Sequence, residues 1–541
     1  MAFYGIPIIL KEGTSVESME TALAENISAI RSIAEAVKST LGPKGLSKML
    51  VDSIGDVTVT DDAYTILDEI EVEHPAAKLV VQLSKMMNKS VGDGVTKAII
   101  ILGELLKFGK ELLDQKLHPT SILSGYSKAS QKVDEIIDRT AFKIALEEKQ
   151  LTEIAKTALS TKNCFGADKK IAEIVTKACM HVMEKRGEKN YVDLDLIQIM
   201  KKEGESVQKS SFVGGLIIDK EVVNENMPKL IDDARIALID HSLEITKTEF
   251  DADIRIVEPS QIQAFKKQED DILHTLVQKI VDTGANVVFC QKGIDDFAQY
   301  YLSEHNIMAI RRIKRSDLQK LMKATNGKII TDIKTISSLD LGKAGFVEES
   351  QVGKDKMIFV EDCENPKSTS ILIRGGTRHI VEETERALKN ALNVVKHAIE
   401  DPFVVSGAGA IEMEISKHLM NYAKSISTRE SIAIEAFSKC LEAIPITIAE
   451  NSGIEAMDIL AQLHSKHDKD NGVHFGINIQ DKGLVDCMKK QVIEPRKVLK
   501  QAIRSASEMS MMILRIDEVI AASKEGRGPK MPESPSEDLD E

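Results

Sequence analysis

Apolar residues recur at Leu23, Ile27, Ile30, Ala34, Val37 and Leu41, a four-three-four-three-four spacing that predicts one face of a helix. Gly42-Pro43 ends it, because proline cannot continue the pattern and disfavours helical geometry in the residue before it. Short apolar runs at Lys48 to Val51 and Asp56 to Thr60, with Ser53 to Gly55 between them, predict a hairpin. A second stripe (Ala98, Ile101, Leu105, Phe108, Leu112) has apolar flanks as well, so Ala98 to Leu113 reads as a helix enclosed on most sides. His118-Pro119-Thr120-Ser121 starts another helical stretch, and the more polar Lys149 to Thr157 suggests a boundary.

Residues 150–215 read as mostly helical, closing on a strand-like Val207 to Phe212. From Gly214-Gly215 the pattern alternates between short strands (Ala234 to Leu238, Ala285 to Phe289) and helices (Phe297 to Leu302), an α/β signature. A charged excursion, Ser242 to Leu276, interrupts it. After a strand at Thr369 to Ile373, a helix buries Val381, Leu388, Leu392, Val395 and Ile399. Asn390 falls about 200 degrees around from Leu388, off that stripe, which predicts a solvated polar residue. The chain is then helical to about Asn451 and strand-like from Phe475 to Ile479. The tail, Glu525 to Glu541, has no packing pattern and is expected to be disordered.

The 541 residues exceed what one core supports, and predict three or four domains at roughly 150 residues each. A net charge of -14 argues against a nucleic-acid surface, leaving Arg311 to Arg315 as a solvated rim. Six cysteines without paired or metal-like spacing predict neither disulfides nor zinc, and so a reducing compartment. Neither a signal peptide nor a membrane span is read from the chain, so no membrane partner is expected and the location is expected to be cytoplasmic.

Chemistry concentrates in glycine-bearing loops. Ser90-Val91-Gly92-Asp93-Gly94-Val95-Thr96 precedes the enclosed helix: its glycines admit close backbone approach to an anion, Asp93 suits a hard cation, and the helix start favours negative charge. That reads as a triphosphate and magnesium site, though an ordinary turn before a helix fits the same residues. Thr40-Leu41-Gly42-Pro43-Lys44-Gly45 fits either a phosphate cradle or a helix stop. Thr60-Asp61-Asp62-Ala63 offers adjacent carboxylates for a metal, a water or a helix cap. Val404 to Ala410, with Gly407-Ala408-Gly409, is a further small-residue loop, and Gln491 to Pro495 carries Glu494. Such loops near both ends, with some 300 residues of different character between, predict one domain made from both ends and carrying two others as a nested insertion.

Leu41 to Gly45, Gly55-Asp56-Val57-Thr58-Val59-Thr60, Gly92-Asp93-Gly94 and Glu382-Glu383-Thr384-Glu385-Arg386 occur in the order and spacing of the group II chaperonins. The chain resembles that family from about Glu12 to Ile520. Within it, Val72 to Lys78, Lys116 to Ser121 and Thr283 to Val287 look most like the alpha subunit of the eukaryotic cytosolic chaperonin.

The resemblance implies an α/β multidomain fold. A mostly helical equatorial ATP-binding domain would span 1–149 and 401–541, with the tail disordered from about 523. A small intermediate domain would span 150–215 and 368–400, and an α/β apical domain 216–367 with a helical lid protrusion at about 242–276. It implies an ATP-dependent chaperone subunit, joined by seven paralogues in an eight-membered ring, two rings stacked, that encloses unfolded clients such as actin and tubulin. ATP and Mg²⁺ are the implied cofactors. Thr40, Leu41, Gly42 and Pro43, then Asp93, Gly94, Val95 and Thr96, then Gly407, Ala408 and Gly409 would surround the nucleotide. Asp93 would bind magnesium, Glu494 would take the ribose hydroxyls, and Asp62 would help position the attacking water.

The chain departs from the family pattern at several of these positions. Val95 and Lys97 flank a lone Thr96 where hydroxyl residues are usual, Asp61 replaces an asparagine, Ala63 and Tyr64 replace a glycine and an alanine, and Ala408 interrupts a glycine run. Asn390 stands where the family carries its catalytic aspartate. An amide is no base near neutral pH, so whether this subunit itself is an ATPase is open; losing a general base slows hydrolysis by roughly 10²- to 10⁴-fold, unless a neighbour such as Asp61 substitutes. The alternatives are a subunit that binds ATP without turning it over, a ring member with an empty site, and a free-standing phosphotransfer enzyme.

Overall fold

The computed structural model describes residues 15–17, 19–187, 189–244, 259–363, 368–469, 471–516 and 519–521. The expected disordered tail and the middle of the Ser242 to Leu276 excursion (245–258) lie outside them.

Both chain ends build the first core. Helices Met19–Lys38, Pro75–Ser90, Val95–Asp114 and Pro119–Thr140 pack with Ala410–Ser425, Glu430–Leu441 and Arg496–Ile513. The Val95–Asp114 helix is enclosed as its all-round apolar sequence predicts: Ile99, Ile101, Leu102 and Leu105 are wholly buried. Each such side chain contributes about 1.5–3 kcal/mol relative to exposure. The ends also pair directly, Ser15–Glu17 running antiparallel to Val519–Ala521. The hairpin forms from Lys48–Val51 and Val57–Thr60 and projects Leu46, Met49, Val51 and Ile54 into solvent.

A second core wraps helices Glu148–Leu159, Asp168–His181 and Arg378–Glu400 around a three-stranded sheet. Here the expectation of a mostly helical 150–215 fails. Helix ends at His181, and Met183–Arg186, Lys189–Val192, Ile197–Glu203 and Ser211–Val213 are strands. Ile197–Glu203 is short enough to fit either period; its parallel partner Thr369–Gly375, far along the chain, decides it. Val207 to Phe212 likewise divides into a 3₁₀ turn at Val207–Lys209 and the Ser211–Val213 strand.

The third body is a seven-stranded mixed sheet covered on both faces. Along its central strand Leu230–Ile239, Ile236 and Leu238 face a core shared with helix Arg315–Thr325. Ala237 and Ile239 face another, shared with helices Pro259–Asp282 and Asp296–Glu304. Two-sided burial is why the end of this strand, Ile236 to Ile239, is a continuous apolar run. The fold is thus α/β and multidomain. All six cysteines are free and buried, and among the described residues no helix is long and apolar enough to cross a membrane.

Candidate functional site

A cavity of about 670 Å³ lies where the first and second cores meet. Thr40, Leu41, Gly42, Pro43, Asp93, Gly94, Thr96, Gly407, Ala408, Gly409 and Glu494 all line it, so the loops from both chain ends share one hollow. Val95 does not. Its side chain turns into the first core and is 5% exposed, because the first helical residue after the loop falls on the buried stripe.

Two helices begin at this wall, and glycine makes both starts possible. Gly94 (φ 78°) caps Val95–Asp114 and Gly409 (φ 80°) caps Ala410–Ser425, each left-handed and without a side-chain cap. First-turn N–H groups therefore face the cavity, as an anion site requires. The loops are also held from behind. Asn451 donates its amide to the Lys38 and Leu41 carbonyls at 3.0 and 2.8 Å, and the Gly407 N–H donates to the Val492 carbonyl at 2.9 Å. Ala408 sits at φ 53°, a conformation that costs an L-residue about 1–2 kcal/mol.

At one end of the cavity Lys162 meets the Asp61-Asp62 pair. Its ammonium is 2.8 Å from Asp62 and 3.9 Å from Asp61. Asp62 caps helix Ala63–Glu69 by accepting from the Thr65 N–H and hydroxyl, both at 3.0 Å. Burial pushes Asp62 up, but Lys162 and those bonds outweigh it and hold the carboxyl at about 2. Asp61 accepts only the Asn163 N–H, its other oxygen has no hydrogen-bond partner, and burial dominates, raising it to about 6.

At the other end Lys97 reaches two carboxylates. Its ammonium is 2.8 Å from Glu412 and 2.8 Å from Glu494. Glu494 is presented by strand Ile493–Pro495, paired opposite Val405, and Glu412 lies in the first turn of Ala410–Ser425, wholly buried. Burial raises Glu494, with Lys97 opposing.

The sequence matches known proteins along nearly the whole chain. The sequence profile of the TCP-1/cpn60 chaperonin family covers residues 33–524. The chain belongs to that family. It is 49% identical to a thermosome subunit of Pyrococcus horikoshii over 96% of this chain and 95% of the relative. It is 48% identical to the thermosome subunit alpha of Archaeoglobus fulgidus over 99% of both, and 47% identical to that organism's beta subunit over 97% and 98%. These relatives are archaeal thermosome subunits. The stretches that look eukaryotic have local work of their own: His74 and His118 each accept from a backbone N–H at the start of a proline-initiated helix.

In this chaperonin Asn390 departs from its sequence expectation. It is buried, not solvated, and its amide donates to Asp62 at 3.2 Å. A neutral donor lets it pack against a carboxylate that an aspartate would repel. Asp62 and Asn390 line a neighbouring cavity of about 560 Å³ rather than the first, and Asp61 and Lys162 line the first. Sequence reasoning missed Lys162, Glu412 and Asn451. None has a local pattern; each is defined by a partner far along the chain. Among the described residues no group of three or more His, Cys, Asp or Glu is arranged to hold a metal by itself. A magnesium ion bound by one carboxylate and phosphate oxygens needs no such group, and Asp93, on the cavity wall, is a carboxylate that would fit it.

Proposed function

We propose that this chain is a subunit of an ATP-driven double-ring folding chamber that binds Mg-ATP in the first cavity and hydrolyses it slowly. The observation that carries the reading is the convergence of Gly42, Asp93, Gly94, Gly407, Gly409 and Glu494, from both chain ends, on one hollow. The two uncapped helix starts and the Gly42 turn suit the phosphates, Asp93 the magnesium, and the apolar Ile448, Ile477 and Ile479 the base. Glu494 then faces the sugar. Magnesium, when bound, neutralises phosphate charge; Thr96 donates a hydroxyl bond, and Asp62, ionised by Lys162, orients water.

Slow hydrolysis follows from Asn390, which holds Asp62 without being able to take a proton. Asp61, 3.9 Å from Lys162 with one oxygen unpartnered and its carboxyl raised to about 6, is the alternative base. In this reading 1–149 and 401–541 form the equatorial domain, 150–215 and 368–400 the hinge, and 216–367 the client-facing domain. Ring assembly is supported by the apolar hairpin, where Met49 is 68% and Ile54 83% exposed on an unpaired strand edge. Ile272, Phe297 and Tyr300, exposed on the packed helices Pro259–Asp282 and Asp296–Glu304, suit apolar segments of unfolded clients. Free buried cysteines fit a cytoplasmic setting. Actin, tubulin and a set of seven paralogues belong to the eukaryotic likeness, which rests on three short stretches; the thermosome relatives favour an archaeal-type ring.

The test is native mass together with single-turnover hydrolysis. A ring of these 59.7 kDa chains is expected on the order of a megadalton, with Mg-ATP bound and turned over slowly. A monomer, or a protein that ignores Mg-ATP, defeats the reading.

A further inference from the structure

We propose that Lys97 decides how this cavity treats the sugar of a nucleotide, by taking Glu494 out of use as a strong hydroxyl acceptor. The inference deepens the nucleotide reading above and rests on it.

The Lys97 ammonium lies 2.8 Å from Glu412, and 2.8 and 3.1 Å from the two Glu494 oxygens. An ammonium has three N–H donors; two of them go to Glu494, while Glu412 holds the same cation as an ion pair. Nor is Lys97 free to swing aside for a ligand. Glu412 is wholly buried and, among the described residues, has no other ion-pair partner. Its carboxylate oxygens take no hydrogen bond of good geometry. Moving the ammonium would strand a buried charge, which is the costly way to break such a pair.

Glu494 therefore stays ion-paired with a cation that the first core supplies and that it shares with Glu412. A bare carboxylate binds a sugar hydroxyl by a charge-assisted hydrogen bond, whereas one already bonded to an ammonium through both oxygens is a weaker acceptor. The phosphate end keeps the Gly42 turn, Gly94 and Asp93, none of which pairs with Lys97. A nucleoside triphosphate then binds through phosphates and base, with its sugar scarcely read.

Calorimetry on the full-length protein with Mg-ATP and with Mg-2′,3′-dideoxy-ATP tests this. For the wild type the two dissociation constants should agree within about threefold, as expected for ordinary hydrogen bonds. In Lys97→Thr, which restores a small hydroxyl residue, the preference for ATP should rise about tenfold, the worth of a charge-assisted bond. A wild-type preference already that large, or one that does not rise in the variant, overturns the inference. Because Lys97→Thr also strands Glu412, Lys97→Arg serves as a second variant that keeps a cation against both carboxylates. Its two dissociation constants should still agree within about threefold; a rise in ATP preference like that expected of Lys97→Thr also overturns the inference. Failure of the wild type to bind either nucleotide would instead defeat the nucleotide reading itself.

Discussion

Two lysines face the cavity, each beside two carboxylates, and they bind different things together. Lys162 follows a helix of the second core, while Asp61 and Asp62 stand on the first, so their bridge spans two bodies. Lys97 and Glu412 stand on helices Val95–Asp114 and Ala410–Ser425 of the first core, and Glu494 on the strand opposite Val405, at its border with the second. When bodies separate, water can replace the first bridge. Nothing replaces the second short of unfolding. The same charge pattern is thus a latch at one end of the cavity and a rivet at the other, and the difference lies in what each lysine is attached to.

The largest change is expected at the latch. Asn390→Asp puts a second carboxylate 3.2 Å from Asp62 and supplies the missing base, so single-turnover hydrolysis of Mg-ATP should rise roughly 10²- to 10⁴-fold. An unchanged rate would mean that another group already serves as base.

The rivet is tested by Lys97→Met, which leaves the buried Glu412 unpaired and the half-buried Glu494 without its cation. It should cost about 3–5 kcal/mol at neutral pH, read as a fall in calorimetric melting temperature. Lys162→Met should cost less, because its aspartates can be rehydrated when the bodies part. Equal losses would erase the distinction.

Within the latch the two aspartates should respond oppositely to pH. Asp62 is depressed to about 2, so its stabilisation is present above pH 4 and fades as pH falls through 2. Asp61 is raised to about 6, so ionising it costs stability, a cost that grows as pH rises from about 4 and is complete above 6. Asp61→Asn should therefore raise the melting temperature at pH 7.5, by the equivalent of about 2–3 kcal/mol, and leave it unchanged near pH 4. A gain at both pH values would assign the effect to something other than charge.

The smallest effect is expected beside the rivet. Ala408→Gly relieves the left-handed alanine but adds freedom to the unfolded chain, so the net gain should be under about 1 kcal/mol. A larger change in chemical-denaturation midpoint would show that the methyl group strains more than its own residue.

Much of the helical architecture was legible in the chain. The Leu23 to Leu41 stripe became Met19–Lys38 with its end at the glycine-proline turn, and the enclosed Ala98 to Leu113 run became Val95–Asp114. Ile197–Glu203 and Ser211–Val213 were misread because short strands whose partner lies more than 150 positions away carry no decisive period, and the local hairpin of Met183–Arg186 and Lys189–Val192 was missed because its strands are polar. Asn390 was misread for a related reason. Helical angle places it off the apolar stripe correctly, but a side chain off one stripe can still be buried by a second body, here the one bearing Asp62.

The sequence by itself determined where the glycine turns fall, which helices they start and which stripes those helices bury, because backbone freedom and apolar periodicity are local properties. Only the tertiary structure decided what the charged residues mean. Lys97 and Glu494 are 397 positions apart, and Lys162 and Asp62 are 100. Whether a buried lysine grips a ligand, latches two bodies or rivets one depends on distances through space, which no pattern along the chain records.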